Sequence, residues 1–233
     1  MGHPGGRTDG VTQYCPDPGL FELFSHPALE QVAKFFLRTD DVILQSSAIL
    51  HNRPPQGEPE AGPVWTEEAE HVDVQYSLAE IDGTPRLQTC MIMVLVDDLP
   101  LGRANTYLRP GSHRQISQFL ADNDQEPFKA HPTGKSELPP LPFAEPEPAV
   151  GVRGDVFAFC TNVVHCGSRN VDAGTRKIMF INFCAAAALD VTAGNHDLVL
   201  VRTAWRDALR AGFAEERRHL LDGKETTPIS PRL

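Results

Sequence analysis

The sequence contains no apolar run approaching the ~18 residues of a membrane span, so a spanning helix is not expected. No apolar h-region follows Met1, so no secretory signal is expected. A block of Lys or Arg is also lacking: 21 basic residues face 31 acidic ones, for a formal charge of −10. That balance is poor for binding phosphate backbones, so neither nucleic acid nor membrane is an expected partner. Five cysteines make an odd number, and no C-x-x-C pair occurs. A disulfide framework and a cysteine zinc site are both disfavoured. There is no G-x-S-x-G elbow and no G-x-G-x-x-G turn after a strand. His131-Pro132-Thr133-Gly134-Lys135-Ser136 resembles the end of a P-loop, but Lys129 stands where the first glycine is needed.

What is present is a chain of 233 residues, 41% hydrophobic and 22% charged. This is the profile of one globular domain with a full core. Residues 1–19 are rich in Gly and Pro and are expected to be poorly ordered, leaving 20–233 as the domain. Pro27 opens a stretch with Leu29, Val32, Ala33, Phe36 and Leu37 at helical spacing. Strand character is read at 41–50, 71–78, 87–96, 104–109, 150–153, 156–160, 163–166 and 176–186. A short helix is expected near 113–121 and a C-terminal helix near 196–221, with Trp205, Leu209, Phe213 and Leu220 on its apolar side. That helix either covers the domain or pairs with another subunit, so a homo-oligomer stays open. Residues 122–149 carry seven prolines between Pro127 and Pro148 and read as a lid-like loop. About eight short strands framed by helices predict a mainly β barrel or jelly roll with its core at about 65–190.

The chemistry concentrates in a few places. His71 and Asp73 stand two apart on a predicted strand, so both side chains leave one face. His165 follows a turn-and-strand pattern, Gly154-Asp155-Val156-Phe157-Ala158-Phe159, that would return it to the same mouth. Two His and one carboxylate on one face leave open positions on a metal, as in non-haem Fe(II) oxygenases. An isolated His-x-Asp in a strand is more often structural, so the triad needs further support. Arg176 follows in an apolar strand, where a guanidinium is costly unless it meets an anion such as a carboxylate. Its plainer reading is a surface residue at a strand start. Pro110-Gly111-Ser112-His113 closes a strand and is explained equally by turn chemistry. Cys160 and Cys166 bracket His165 and read as packed core thiols.

Taken together, His71-x-Asp73, Pro110-Gly111-Ser112-His113, Gly154-Asp155, His165 and Arg176 occur in the order of the phytanoyl-CoA dioxygenase family, which the chain resembles over about 65–190. The resemblance implies a double-stranded β-helix of cupin-like jelly-roll form with flanking α-helices. It implies Fe(II) held by His71, Asp73 and His165, with 2-oxoglutarate as co-substrate, dioxygen as oxidant and a small organic molecule as substrate. Arg176 would hold the far carboxylate of 2-oxoglutarate, with Thr106 and Ser168 as further co-substrate contacts. Asp73 argues for hydroxylation or a related oxidation over halogenation. Two positions depart from the family pattern: Arg103-Ala104 replaces a usual Asn-Gly, and Gly167 stands two after the distal His, where Ser is frequent. The competing readings are a non-catalytic cupin-like binding protein and a zinc hydrolase; Arg176 argues against the latter. The tail Pro231-Arg232-Leu233 matches a peroxisomal Ser-Lys-Leu signal poorly, so the cytoplasm is the expected compartment and the peroxisome the second.

Overall fold

Residues 10–12, 18–55, 65, 67–72, 89–123, 138–186 and 205–222 are described by the computed structural model of the chain. Two helices precede the long strands of the core. A short helix α1 (Phe21–Phe24) leads into α2 (Pro27–Leu37). The start of α2 is set by His26, whose ring accepts a hydrogen bond from the Ala28 N–H, and by Pro27 in the first turn. It ends at Arg38, a left-handed cap with φ of 55°. Its buried side, Leu29 and Ala33 with Val32, Phe36 and Leu37 against them, follows the spacing read from the sequence.

Among the described residues, eight strands follow the order β1 (Gly10–Thr12), β2 (Val42–Arg53), β3 (Cys90–Leu95), β4 (Thr106–Leu108), β5 (Glu147–Pro148), β6 (Val156–Cys160), β7 (His165–Gly167) and β8 (Arg176–Ala185). The large sheet runs β1-β2-β8-β3-β6, and the small sheet runs β5-β4-β7. An isolated bridge between His71 and His165 adds a fourth line to the small sheet. All the pairings are antiparallel. From β2 onward the chain alternates mainly between sheets: β2 large, His71 small, β3 large, β4 and β5 small, β6 large, β7 small, β8 large. That alternation is the double-stranded β-helix.

The large sheet is buried on both faces, which is why β3 and most of β8 read as continuous apolar runs. Cys90, Ile92, Val94, Met179, Ile181 and Phe183 face the helices and pack on Phe21, Phe24, Trp205 and Leu209. Met91, Met93, Leu95, Ile178, Phe180 and Phe159 face the opposite way, into the barrel. Register confirms the sharing of a face: Met91 lies opposite Phe159, and Met93 opposite both Phe157 and Phe180.

Some local readings change. Residues 150–153 form a bridge at Gly151 and a turn rather than a strand, because Gly154 has φ of 96° and the Asp155 carboxylate accepts the Val152 N–H. The strand there lies earlier, at β5. The C-terminal helix is broken: residues 205–212 are helical, Glu215–Arg217 forms a 3-10 turn, and a last turn spans His219–Asp222. The break at the extended Ala214 lets Phe213, Leu220 and Leu221 all reach one core. Of the lid-like loop, residues 138–149 are described. Leu138, Leu141 and Phe143 pack on a small core of Val72, Ile116, Leu120 and Val164, which fixes this stretch beside helix α3 (Ser112–Asp122). The start of the expected C-terminal helix and the rest of the expected lid lie outside the described residues, as do most of strand 71–78 and, of the stretch 1–19 expected to be poorly ordered, residues 1–9 and 13–17; Gly10–Thr12 is instead a strand and Pro18–Leu20 a 3-10 turn.

Candidate metal and co-substrate site

His71 and His165 exchange both backbone hydrogen bonds at 3.0 Å each. Residues paired in this way stand directly opposite, so their side chains leave the same face of the small sheet. Their rings lie 4.6 Å apart between centroids. Each imidazole is fixed by its own chain. His71 Nδ1 lies 3.0 Å from the Ala69 carbonyl, and His165 Nδ1 lies 2.9 Å from the Val163 carbonyl. A carbonyl can only accept, so Nδ1 carries the proton in both rings and Nε2 carries the lone pair. This is the tautomer and support that metal-ligating histidines have. The Phe159 ring lies 5.5 Å from that of His165 and supports it from the large sheet. Asp73 lies outside the described residues, and among the described residues no three His, Cys, Asp or Glu side chains converge. The two histidines fit a metal ion, with Asp73 two residues further along the sequence.

The neighbours of this pair are built to hold it. Ser112 Oγ accepts the Val164 N–H at 2.9 Å, and the Val164 carbonyl accepts the Arg109 N–H at 2.9 Å. The Pro110-Gly111-Ser112-His113 turn therefore clamps the residue next to His165, and Gly111, with φ of 78°, permits the turn. Arg109 Nε reaches both oxygens of Glu70, at 2.7 and 2.9 Å. Arg109 also donates to the Ala144 carbonyl and lies over the rings of Trp65 and Phe143. The hydrogen bond to Glu70 holds the guanidinium more firmly protonated than usual, against the opposing effect of burial. Sequence reading missed this ion pair. Its signal was available in the two charges set directly beside His71 and Pro110.

The opposite end of the barrel is basic. Arg176 is 2% exposed and donates to the Ala104 carbonyl at 2.8 Å. Opposite it in β2 stands Arg53, which donates to the Ser168 carbonyl at 2.9 Å. Thr106 is buried and stands opposite Gly167, two pairs along the ladder from Leu108 and His165. Two residues along a strand span about 6.6 Å, so the arginines and the histidines occupy successive levels of one interior. Thr106 and Arg176 thus join the histidines on the inner surface. Ser168 does not follow them: alternation turns it from the face of His165 and Gly167, and its hydroxyl lies 3.5 Å from the Arg169 carbonyl. What Ser168 offers the interior is its backbone oxygen.

Both departures from the family pattern have structural correlates. Ala104 holds φ of 51°, a left-handed conformation that glycine adopts without strain. Gly167 lies against Arg53: a Cβ there would stand 2.9 Å from the guanidinium.

A cavity of about 520 Å³ opens at the histidine end, lined by Phe36, Arg38, Leu108, His113, Phe159 and Val163 among others. It abuts His165 on three counts: Leu108 is its strand partner, Phe159 packs on its ring, and Val163 accepts its Nδ1 proton. His113 is held below the usual histidine range, first by burial and then by Arg114. Cys90, directly opposite Cys160, has its thiol pushed up to about 12, by burial first and then by Cys160. Cys90, Cys160 and Cys166 are buried and outside any disulfide, and Cys160 and Cys166, which bracket His165, pack as core residues.

Comparison with known proteins agrees with this geometry. SnoN, an epimerase crystallised with Fe3+, alpha ketoglutarate and nogalamycin RO, superposes with a TM-score of 0.58 at 14% identity, over 80% of this chain and 67% of that one. EctD from S. alaskensis, solved with bound Fe, superposes with a TM-score of 0.52 at 18% identity, over 81% of this chain and 61% of that one. The chain thus spans under two thirds of the length of EctD, and at these identities both likenesses speak to the fold. No curated protein sequence matches the chain. Residues 8–178 match the family described as Phytanoyl-CoA dioxygenase (PhyH). With most of its length matched, and with paired histidines and a buried arginine inside a double-stranded β-helix, the chain belongs to the phytanoyl-CoA dioxygenase family of non-haem Fe(II)- and 2-oxoglutarate-dependent oxygenases.

Proposed function

We propose that the protein oxidises a small organic metabolite with dioxygen while converting 2-oxoglutarate to succinate and carbon dioxide. One oxygen atom enters the substrate and the other enters succinate. The observation that carries this reading is the stacking of two levels in one interior: a pair of imidazoles with both Nδ1 atoms committed to carbonyls, and a buried arginine beyond them. His71 and His165, with Asp73, would hold the metal; when bound, Fe(II) supplies the redox chemistry with dioxygen.

The chain's own residues do the rest. Arg176 orients the dicarboxylate by a paired, charge-assisted contact, with its fork already aimed by Ala104. Phe159, Leu108 and Val163 wall the histidines with apolar surface and keep water from the reacting atoms. The cavity above them is of metabolite size. Arg38 on its wall, with the His113 ring beside it as a neutral hydrogen-bonding group, favours a substrate with an acidic group beside an apolar body.

Anaerobic titration with Fe(II) and then 2-oxoglutarate tests the reading. A visible charge-transfer band that needs both, and is lost in Asp73→Ala, is the expected result. A folded protein that gives no band would leave the non-catalytic binding protein as the better account.

A further inference from the structure

The cavity at the histidine end is cationic in an acidic chain. Against 21 Lys and Arg the protein has 31 Asp and Glu, yet among the described residues no acid lines this cavity, while two arginines and a histidine do. Arg109 is neutralised by Glu70. Arg38 is not: among the described residues no carboxylate or carbonyl pairs with its guanidinium. Arg38 also holds the left-handed cap of α2, with φ of 55°, where a glycine would sit without strain. Such outliers cluster where a side chain serves a ligand, and this one lies on the cavity wall.

His113 adds a donor of one defined kind. It stands in the first turn of α3 and lines the same cavity. Its Nδ1 is buried and has no hydrogen-bond partner. Orphaned buried N–H groups are rare, so Nδ1 keeps the lone pair and the proton belongs on Nε2. This reverses the arrangement in His71 and His165, whose Nδ1 protons are committed to carbonyls. Burial first, and then Arg114, hold the ring neutral. His113 therefore offers the cavity an uncharged N–H beside the charge of Arg38. One guanidinium and one neutral N–H match the single charge and two oxygens of a carboxylate. The wall that meets His165 is different in kind: Phe159 packs on its ring and Leu108 is its strand partner, and both are apolar.

We propose that Arg38 and the Nε2–H of His113 together hold the carboxylate of a monoanionic substrate whose apolar body lies along Phe159 and Leu108, so that oxidation falls on a carbon of that body rather than beside the acid group. This rests on the oxygenase reading above and deepens it, by naming the substrate class and the end of the molecule that faces the metal. The C–H bond there becomes C–OH; it gives two of the four electrons that dioxygen takes, and 2-oxoglutarate gives the other two. Arg38 and His113 are thereby specificity residues.

Octanoate and its neutral isostere octanamide serve as probes. Calorimetry on the metal-free protein should show octanoate binding the more tightly by about ten-fold or more, the range for a hydrogen bond to a charged group. Arg38→Gln should bring the ratio of the two affinities close to one. His113→Asn should lower it several-fold, whereas His113→Gln, whose amide nitrogen can stand where Nε2 stood, should keep most of it. Orientation is read with Mn(II) added to the protein: its paramagnetism should speed the NMR relaxation of bound octanoate more at the terminal methyl than at the methylene beside the carboxylate. Equal affinities for the two probes, no binding of octanoate at millimolar concentration, or a ratio unmoved in both Arg38→Gln and His113→Asn overturns the anchor. Faster relaxation beside the carboxylate overturns the orientation. Failure of the oxygenase reading looks different: the calorimetric ratio would stand, and Mn(II) would speed relaxation at neither end.

Discussion

Arg109 and Glu70 form a buried ion pair that joins the two histidine segments: Glu70 directly precedes His71, and Arg109 follows Leu108, the strand partner of His165. Both side chains are withdrawn from solvent. Removing one partner strands the other charge, which typically costs about 3–5 kcal/mol. Glu70→Gln should therefore lower the unfolding free energy by that order and weaken metal binding as His71 loses its fixed neighbour. Denaturant unfolding and a competitive metal titration measure the two effects. A Glu70→Gln protein as stable as the parent, with unchanged metal affinity, would show that this pair positions nothing.

A second buried acid ties the two ends of the chain together. Glu30 in α2 meets Lys34 at 2.7 Å, Arg217 at 2.6 Å and His219 at 3.0 Å. Burial alone would raise its carboxyl, but the bonds from Lys34, His219 and Arg217 outweigh that and bring it down to about 2. A carboxyl held below its unfolded value stabilises the fold above the unfolded pKa, and that stability is lost as pH falls through the folded one. The network should contribute about 2–3 kcal/mol at neutral pH and lose it between pH ~5 and ~2. Thermal melts across that range should show a steep acid limb in the parent and a shallower one in Glu30→Gln.

Much of the fold was legible because its two periodicities are clean. Leu29, Ala33 and Phe36 mark one face of α2, and β3 is buried at all its positions, so its unbroken apolar run could only be a central strand. His71, His165, Thr106 and Arg176 were legible as types in an order, and the register sets them on one interior. The roles that escaped are contacts across long sequence separations. Arg53 stands against Arg176 because β2 pairs with β8, and it reaches Gly167 because that position has no side chain; neither fact is local. The direction of Ser168 depends on such a contact too: it follows β7, whose register is set by the pairing of His165 with Leu108, and its hydroxyl lies toward the Arg169 carbonyl. The break at Ala214 is likewise a response to the core beneath it and is not written in the helix periodicity.

Arg38 sets stability against binding. It occupies the left-handed cap of α2 with φ of 55°, where an L-residue costs roughly 1–2 kcal/mol relative to glycine, and its side chain reaches the cavity wall. Arg38→Gly should raise the unfolding free energy by up to about 1 kcal/mol, since the freer unfolded chain offsets part of the relief. The same change should raise KM for an acidic substrate while leaving 2-oxoglutarate affinity unchanged. Stability gained with substrate KM unaltered would remove Arg38 from the substrate side of the site.

Arg176 separates co-substrate binding from folding. Its guanidinium is buried and hydrogen-bonded to Ala104, a residue that itself holds φ of 51°. Arg176→Lys keeps the charge but loses the fork. The affinity for 2-oxoglutarate should fall by about ten-fold or more, while Fe(II) binding in its absence is unchanged. Ala104→Gly, by contrast, relieves the left-handed strain and should stabilise the fold without altering co-substrate affinity. Equal co-substrate affinity in Arg176→Lys and the parent would take the fork out of the scheme.

Two glycines distinguish steric from conformational demand far from the site. Gly212 ends the helix at 205–212, and a Cβ there would overlap the ring of Phe21, itself wedged edge-on to Phe213 with centroids 6.0 Å apart. Gly154 has open space around its Cβ position but φ of 96°. Gly212→Ala should therefore cost about 1–3 kcal/mol by overpacking. Gly154→Ala should cost about 1–2 kcal/mol through backbone strain alone. The second substitution that separates them is Phe21→Leu. A smaller side chain makes room beside residue 212, so the cost of Gly212→Ala should shrink in that background, whereas the cost of Gly154→Ala should stay the same. Double-mutant cycles by denaturant unfolding read the difference directly. A coupling of zero between Phe21 and Gly212 would mean that the C-terminal helix relaxes away from α1 rather than packing rigidly against it.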